Sequence, residues 1–285
     1  MQHLIIRALF DQHNWFAPLK RPKRILDIGC GTGKWCMEMG TSAAQQRSAH
    51  PTDEWQQRRF HGRGSKALTY RPFSQPRMHR FSNQHCTSTD LALTAGSTPD
   101  NVDFFIDDIR RKEWWHCTQP YDYIHTRMSL GIFRDFREII QKGFNNLEAG
   151  GYMESHEIYP TVYCDDGTMP PNYELVEWTR MQDKAAMTLG MPLRIANKLK
   201  TWYEQAGFVD VQEEIFRIPV NSWAKDPRYK LLGKFMMWNM CEGVHAWTIE
   251  YFTKALQWTD AEVEVYLAHL RNAIGDKSVH SYYKM

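Results

Sequence analysis

The chain has 285 residues, 42% of them hydrophobic, which is enough to bury one large core and a helical lid. A net charge of +2, no run of 18 apolar residues and no leader-like pattern over residues 1–10 argue against a membrane span or a secretory signal, so an intracellular, cytoplasmic protein is expected. Six cysteines, at 30, 36, 86, 117, 164 and 241, form no CxxC pair and no zinc-like spacing to histidine; reduced thiols and no metal are expected.

In chain order, Ile25, Leu26 and Ile28 read as a short buried strand. Glycines at 29, 31 and 33 and a helix from about Lys34 follow it. Residues 42–88 interrupt the pattern, because Leu68 is their only Leu, Ile or Val. Too little apolar surface is present there to offset ordering entropy, so a disordered insertion is expected, with a retained intron as the sharper alternative. The same stretch holds eight Lys/Arg against two acidic residues, which leaves the remainder at −4 and makes nucleic acid an unexpected ligand. Further strands are expected at 103–106, 121–125 and 152–158, the last entered through a Gly150-Gly151 turn. Phe136, Ile139, Ile140, Phe144 and Leu147 recur at helical steps and predict a helix over 133–147.

Strands alternating with helices predict an α/β fold, a doubly wound and mostly parallel sheet with helices on both faces. Residues 172–190 and 194–206 read as helices, the second stopped by Gly207, and 209–220 as a late strand. Residues 229–256 and 259–273 are helical, the last with Thr259 as N-cap and Glu262 three positions on. One domain over 1–285 results, with 165–200 and 221–273 as helical segments on the substrate side.

The glycines follow GxGxG, not GxGxxG. Lys34 stands where a dinucleotide-binding turn needs its third glycine, so a dehydrogenase is disfavoured. The string LDIGCGTGKW from Leu26 resembles motif I of class I S-adenosylmethionine-dependent methyltransferases. With FAPL at 16–19, NVDFFIDDI at 101–109, YDYIHTR at 121–127 and LEAGGYME at 147–154, most of the chain resembles the fungal LaeA-like methyltransferases of secondary metabolism. The resemblance implies a Rossmann-like sheet with a final antiparallel strand and S-adenosylmethionine as methyl donor. It also implies either a small-molecule acceptor or a regulatory role through a protein partner, the latter placing the chain in the nucleus. Against that family the chain starts inside a longer amino-terminal helix and stops where the last strand should continue. That strand is therefore expected to be short or absent.

Gly29, Cys30, Gly31, Thr32 and Gly33 are expected to pass against the cofactor's amino acid end, with Asp27 fixing it through loop amides or water. A carboxylate for the ribose is sought after the second strand, where Asp53 and Asp90 compete; the spacing to Asn101 favours Asp90. Asp107, Asp108 and Ile109 follow the third strand, where the family places its adenine contacts. His125 and Arg127 end the fourth strand at the carboxyl edge, where open α/β sheets bind ligands. Arg127 is a candidate for holding a carboxylate and His125 for facing the sulfonium.

Methyl transfer mainly needs alignment and exclusion of water, with a base only where the acceptor must lose a proton. His156 is the first candidate base, with His125 and Glu157 beside it as catalytic candidates. Glu154 and His156 share one strand face and Glu157 the other, so the three are not expected to line one pocket by strand geometry alone. Metal ligation by this cluster is not expected. Residues 234–240 with Trp247 and Tyr251 would form either an apolar wall for a flat acceptor or ordinary helix packing. Trp223 and Tyr163 stay undecided between the same two readings.

Overall fold

The computed structural model describes residues 1–19, 22–45, 99, 101–104 and 119–285. Strand β1 (Ile25–Ile28) is buried at all four positions, as a strand covered on both faces of a parallel sheet must be. It runs parallel to β2 (Tyr121–Arg127), and β2 parallel to β3 (Leu147–His156), giving the order β1-β2-β3. Asp122 sets the entry to β1, its carboxylate accepting from the backbone N–H of Lys23 (2.6 Å) and Arg24 (2.7 Å).

The Gly150-Gly151 pair is not the entry turn that its sequence suggests. It lies inside β3, where the β2–β3 register slips between Tyr121 and Tyr123. Gly150 takes φ +90°, and a Cβ on Gly151 would stand 3.0 Å from the carbonyl oxygens of Asp122 and Glu148. The glycines therefore serve a bulge and a close backbone approach. Of the strand expected at 103–106, Asp103 and Phe104 are not in a strand, and the rest lies outside the described residues.

Helix α1 (Gln2–Leu9) precedes the sheet, and α2 (Lys34–Gln45) follows the glycine turn, so residues 42–45 continue a helix; the remainder of 42–88 lies outside the described residues. Helix α3 (Phe136–Asn145) starts where Asp135 caps it, its side chain accepting from Arg137 N. A second sheet of β4 (Tyr159–Tyr163), β6 (Tyr282–Lys284) and β5 (Arg217–Pro219) is antiparallel, with β6 in the middle. The final strand is thus present and short, paired outside the parallel sheet. The late strand is confined to β5, and residues 209–216 carry no regular structure.

Helices α4 (Glu174–Thr188), α5 (Leu199–Ala206), α6 (Pro227–Leu256) and α7 (Asp260–Gly275) complete the described chain, with a 3₁₀ turn at Ala196–Lys198 before α5. Gly207 ends α5 at φ +105°, and Thr259 with Glu262 forms the capping box at α7. One core joins α1, α4, α6 and α7 through Ile5, Leu175, Val244, Phe252 and Leu267. Another fills the sheet face against α3 and α5 through Leu26, Ile124, Ile140 and Met153. Met236 and Met240 sit in the first core, so this part of α6 packs helices together. Cys30 is disulfide-bonded, against the expectation of reduced thiols, while Cys36, Cys164 and Cys241 are free.

Candidate active site

Leaving β1, the chain turns through Gly29, Gly31 and Gly33 at φ +75°, +56° and +70°, a region that side-chain-bearing residues rarely adopt. A Cβ on Gly29 or Gly31 would meet nothing within 4 Å, whereas one on Gly33 would stand 2.7 Å from the Phe104 ring. The first two glycines thus border open space and the third accommodates packing. Gly31 and Thr32 are exposed, Cys30 is buried, and Gly33 N–H donates to Cys30 O (3.0 Å) as α2 begins.

Behind the turn, register places Asp27, His125 and Glu154 side by side on β1, β2 and β3. Their side chains join in one buried chain. His125 Nδ1 bonds Asp27 Oδ1 (2.8 Å), His125 Nε2 faces His156 Nδ1 (3.2 Å), and His156 Nε2 bonds Glu154 Oε1 (2.5 Å). Exposure of the four runs from 0% for His125 to 5% for His156. Trp35 stacks on His125 with centroids 4.0 Å apart and 11° between planes, and its own N–H donates to Asn14 O. Cys36 donates to the second Asp27 oxygen (3.1 Å). The Glu154 carboxylate also accepts from the backbone N–H of Phe16 and Ala17 (each 2.9 Å).

Burial drives His125 down to about 4 against the pull of Asp27, so this ring is neutral near pH 7. Burial alone would raise Asp27 and Glu154. At Asp27 the hydrogen bond and charge of His125, with Arg127 and Cys36, together outweigh it, and at Glu154 the charge and hydrogen bond of His156, with His125 and the Ala17 N–H, do the same, so both carboxyls stay below their ordinary values.

Glu157 follows β3 and turns to the loop after β2, accepting from Ser129 N–H (2.9 Å), Ser129 Oγ (2.7 Å) and Leu130 N–H (3.3 Å). Burial still pushes its carboxyl up to about 7. Arg127, half-buried at the end of β2, donates from Nη1 to His3 Nδ1 (3.2 Å). His3 belongs to α1, which Glu38 of α2 clamps through His3 Nε2 (3.0 Å) and Arg7.

A cavity of about 360 Å³ opens on the β3 side of this network. Glu154, His156 and Glu157 all border it, although strand alternation alone opposed that; β3 stops at His156, which frees Glu157 from the alternation. Phe10 and Phe16 cover His156 edge-on, with centroids 4.9 and 6.0 Å away. His125 and Asp27 lie behind His156 and do not border the cavity. Trp247 and Tyr251 pack against the helical core, and Trp223 stacks on His280, while Tyr163 lines the cavity. Asp53, Asp90, Asp107, Asp108 and Ile109 lie outside the described residues.

Sequence reasoning missed Trp35, Phe10, Phe216, Glu213 and Glu214. Trp35 carried a signal, since a residue two positions past the glycine turn packs back on the strands; the others come from separate segments that only the fold unites.

No described helix is long and apolar enough to cross a membrane. The protein family described as "Methyltransferase domain" matches residues 1–213. The methyltransferase pytC of Aspergillus terreus is 32% identical over 283 residues, covering 99% of this chain and 75% of that protein. The secondary metabolism regulator LAE1 of Cochliobolus heterostrophus is 26% identical over 262 residues, covering 91% of this chain and 73% of that protein. Among solved structures, Haemonchus contortus phosphoethanolamine N-methyltransferase 2 in complex with S-adenosyl-L-methionine aligns with 99% of this chain at 14% identity and a TM-score of 0.43. This chain spans about half of that one, 51% of its length.

Proposed function

The chain belongs to the methyltransferase family, and from that premise we propose that it transfers a methyl group from S-adenosylmethionine to an oxygen or nitrogen of a small molecule in fungal secondary metabolism. The observation that carries this reading is the turn after β1, where Gly29 and Gly31 leave open space in which a Cβ would otherwise stand. Main chain offered in that way suits an amino acid end that must be held by amides.

Gly29, Cys30, Gly31, Thr32 and Gly33 would hold that end of the cofactor. Asp27 has both oxygens engaged by His125 and Cys36, so its part is to fix the turn from beneath and to lend negative charge. Arg127, which contacts His3 from the end of β2, is proposed to hold the cofactor's carboxylate. Asp90 is proposed for the ribose and Asp107, Asp108 and Ile109 for the adenine. S-adenosylmethionine supplies, when bound, a methyl group already activated by its positive sulfur.

The chain's own residues then position the acceptor and keep water out. Phe10 and Phe16 close over His156, and Trp35 seals His125 from the other side. His156 is the histidine of the network that borders the cavity, so it is the proposed proton acceptor for an acceptor hydroxyl, with His125 behind it as its positioning partner. Glu157 borders the same cavity and holds the 129–130 loop; it is the alternative base.

Equilibrium binding of S-adenosylmethionine to the wild type and to Gly31→Ala tests the reading. The new methyl meets no protein atom within 4 Å, and its left-handed backbone costs only about 1–2 kcal/mol, so the variant should stay folded. At least tenfold weaker binding is expected; equal binding would sink the assignment. The likeness to LAE1 favours a second reading, a nuclear regulator acting through a protein partner, in place of a cytoplasmic enzyme. Tight partner binding without turnover of any acceptor would select it.

A further inference from the structure

The cavity beside His156 also carries information about what it takes. Its apolar wall is aromatic: Phe10, Phe16 and Phe216 form one cluster, with centroids 4.6, 4.9 and 5.6 Å apart, and Tyr159 and Tyr163 continue it. Such a wall suits the face of a planar ring system, and about 360 Å³ accommodates a bicyclic one.

The polar lining is one-sided. Glu154, Glu157, Glu213 and Glu214 border the cavity against the single ammonium of Lys284. Glu154 and Glu157 are saturated by the hydrogen bonds described above, and Lys284 lies over the Tyr163 ring, 4.0 Å from its centre. Glu213 and Glu214 are half-buried, and among the described residues neither has a hydrogen-bond or ion-pair partner. Burial alone pushes the Glu214 carboxyl up, with no cation contributing. A carboxylate drawn from water without a counter-charge is costly, and a ligand that brings the charge removes that cost.

We propose that the methyl acceptor is a flat aromatic molecule bearing a cationic nitrogen, its rings against the phenylalanine cluster and its nitrogen at Glu213 and Glu214. This rests on the methyltransferase reading only in calling the ligand an acceptor. The nitrogen is the handle by which the cavity selects; an aromatic ring over it adds a cation–π contribution of the usual kind.

Three probes of one shape test this: tryptamine, tryptophol and indole-3-acetate, which end in a cation, a neutral hydroxyl and an anion. Binding to the full chain is measured by calorimetry with and without S-adenosylmethionine, for the wild type and for the Glu213→Gln, Glu214→Gln double variant. Tryptamine should bind at least tenfold more tightly than tryptophol, and indole-3-acetate least tightly. The double variant should bring tryptamine to the level of tryptophol while its melting temperature is unchanged or raised. Equal binding of tryptamine and tryptophol, a preference that survives the double substitution, or no binding of any probe would overturn the proposal. Failure to bind S-adenosylmethionine with the probe ranking intact would instead remove the methyltransferase reading alone.

Discussion

His125 Nε2 and His156 Nδ1 face each other at 3.2 Å, and each imidazole turns its remaining nitrogen to a carboxylate. Burial holds His125 neutral, so its single ring proton serves either Asp27 or His156.

Glu154→Gln should loosen the seating of His156. The amide oxygen is a weaker acceptor than the carboxylate for His156 Nε2 and for the backbone donors of Phe16 and Ala17. A stability loss of about 1–3 kcal/mol by urea unfolding should follow. An unchanged unfolding free energy would contradict a role for this carboxylate in holding the ring and the 16–17 backbone.

Two buried groups give stability opposite dependences on pH. His125, lowered from 6.5 to about 4, favours the fold above pH 6.5, and that contribution is lost as pH falls towards 4. Glu157, raised from 4.5 to about 7, favours the fold where it is protonated, and that contribution is lost as pH rises through 7. Glu157→Gln removes the second dependence only. Between pH 5 and 8.5 its unfolding free energy should gain on that of the wild type by on the order of 2 kcal/mol. A constant difference across that range would show that Glu157 is not raised.

Much of the parallel core was legible in the sequence because its signals are local. Ile25 to Lys34 states strand, turn and helix start within ten residues, and Thr259 with Glu262 states a helix start within four. The bulge at Gly150 and Gly151 was read as a turn, since a glycine pair signals irregular backbone without saying whether the ladder resumes. The second sheet was legible only in part: β5 lies within the late strand read at 209–220 and β6 followed from the resemblance alone, since each has three residues, too few for a period, and they pair across more than sixty positions of sequence. The same holds for the cavity, which unites Phe10, His156, Glu214 and Lys284 from four separate segments.

Glu38 makes α1 part of the site. One of its oxygens meets His3 (3.0 Å), Arg7 and Asn14 (3.3 Å), and the other lies 3.7 Å from Lys34. Glu38→Gln should release the helix that orients Arg127 through His3. Because the carboxylate is partly exposed, the loss in global stability should be small, about 1 kcal/mol. Hydrogen exchange of the α1 amides should accelerate at least tenfold while that of β2 is unchanged. Equal protection of α1 would mean that its apolar face alone seats it.

Two glycines of α6 should respond oppositely to the same added methyl. A Cβ on Gly233 would stand 2.0 Å from the backbone oxygen of Asn221, whereas the atoms nearest to one on Gly243 belong to the Trp247 ring, the first 2.5 Å away. Trp247 is a side chain on the next turn and can rotate. Asn221 cannot retreat: its Nδ2 donates to Ile274 O (3.0 Å) and Asp276 O (2.9 Å), and its Oδ1 accepts from Trp223 N–H (3.1 Å). Gly233→Ala should therefore cost about 3 kcal/mol or more through overpacking against fixed backbone. Gly243→Ala should lie within about 1 kcal/mol of neutral, because the helix gains by losing a glycine what the indole loses by moving. Urea unfolding of the two variants measures the contrast, and equal losses would show that the loop after β5 yields as readily as a side chain.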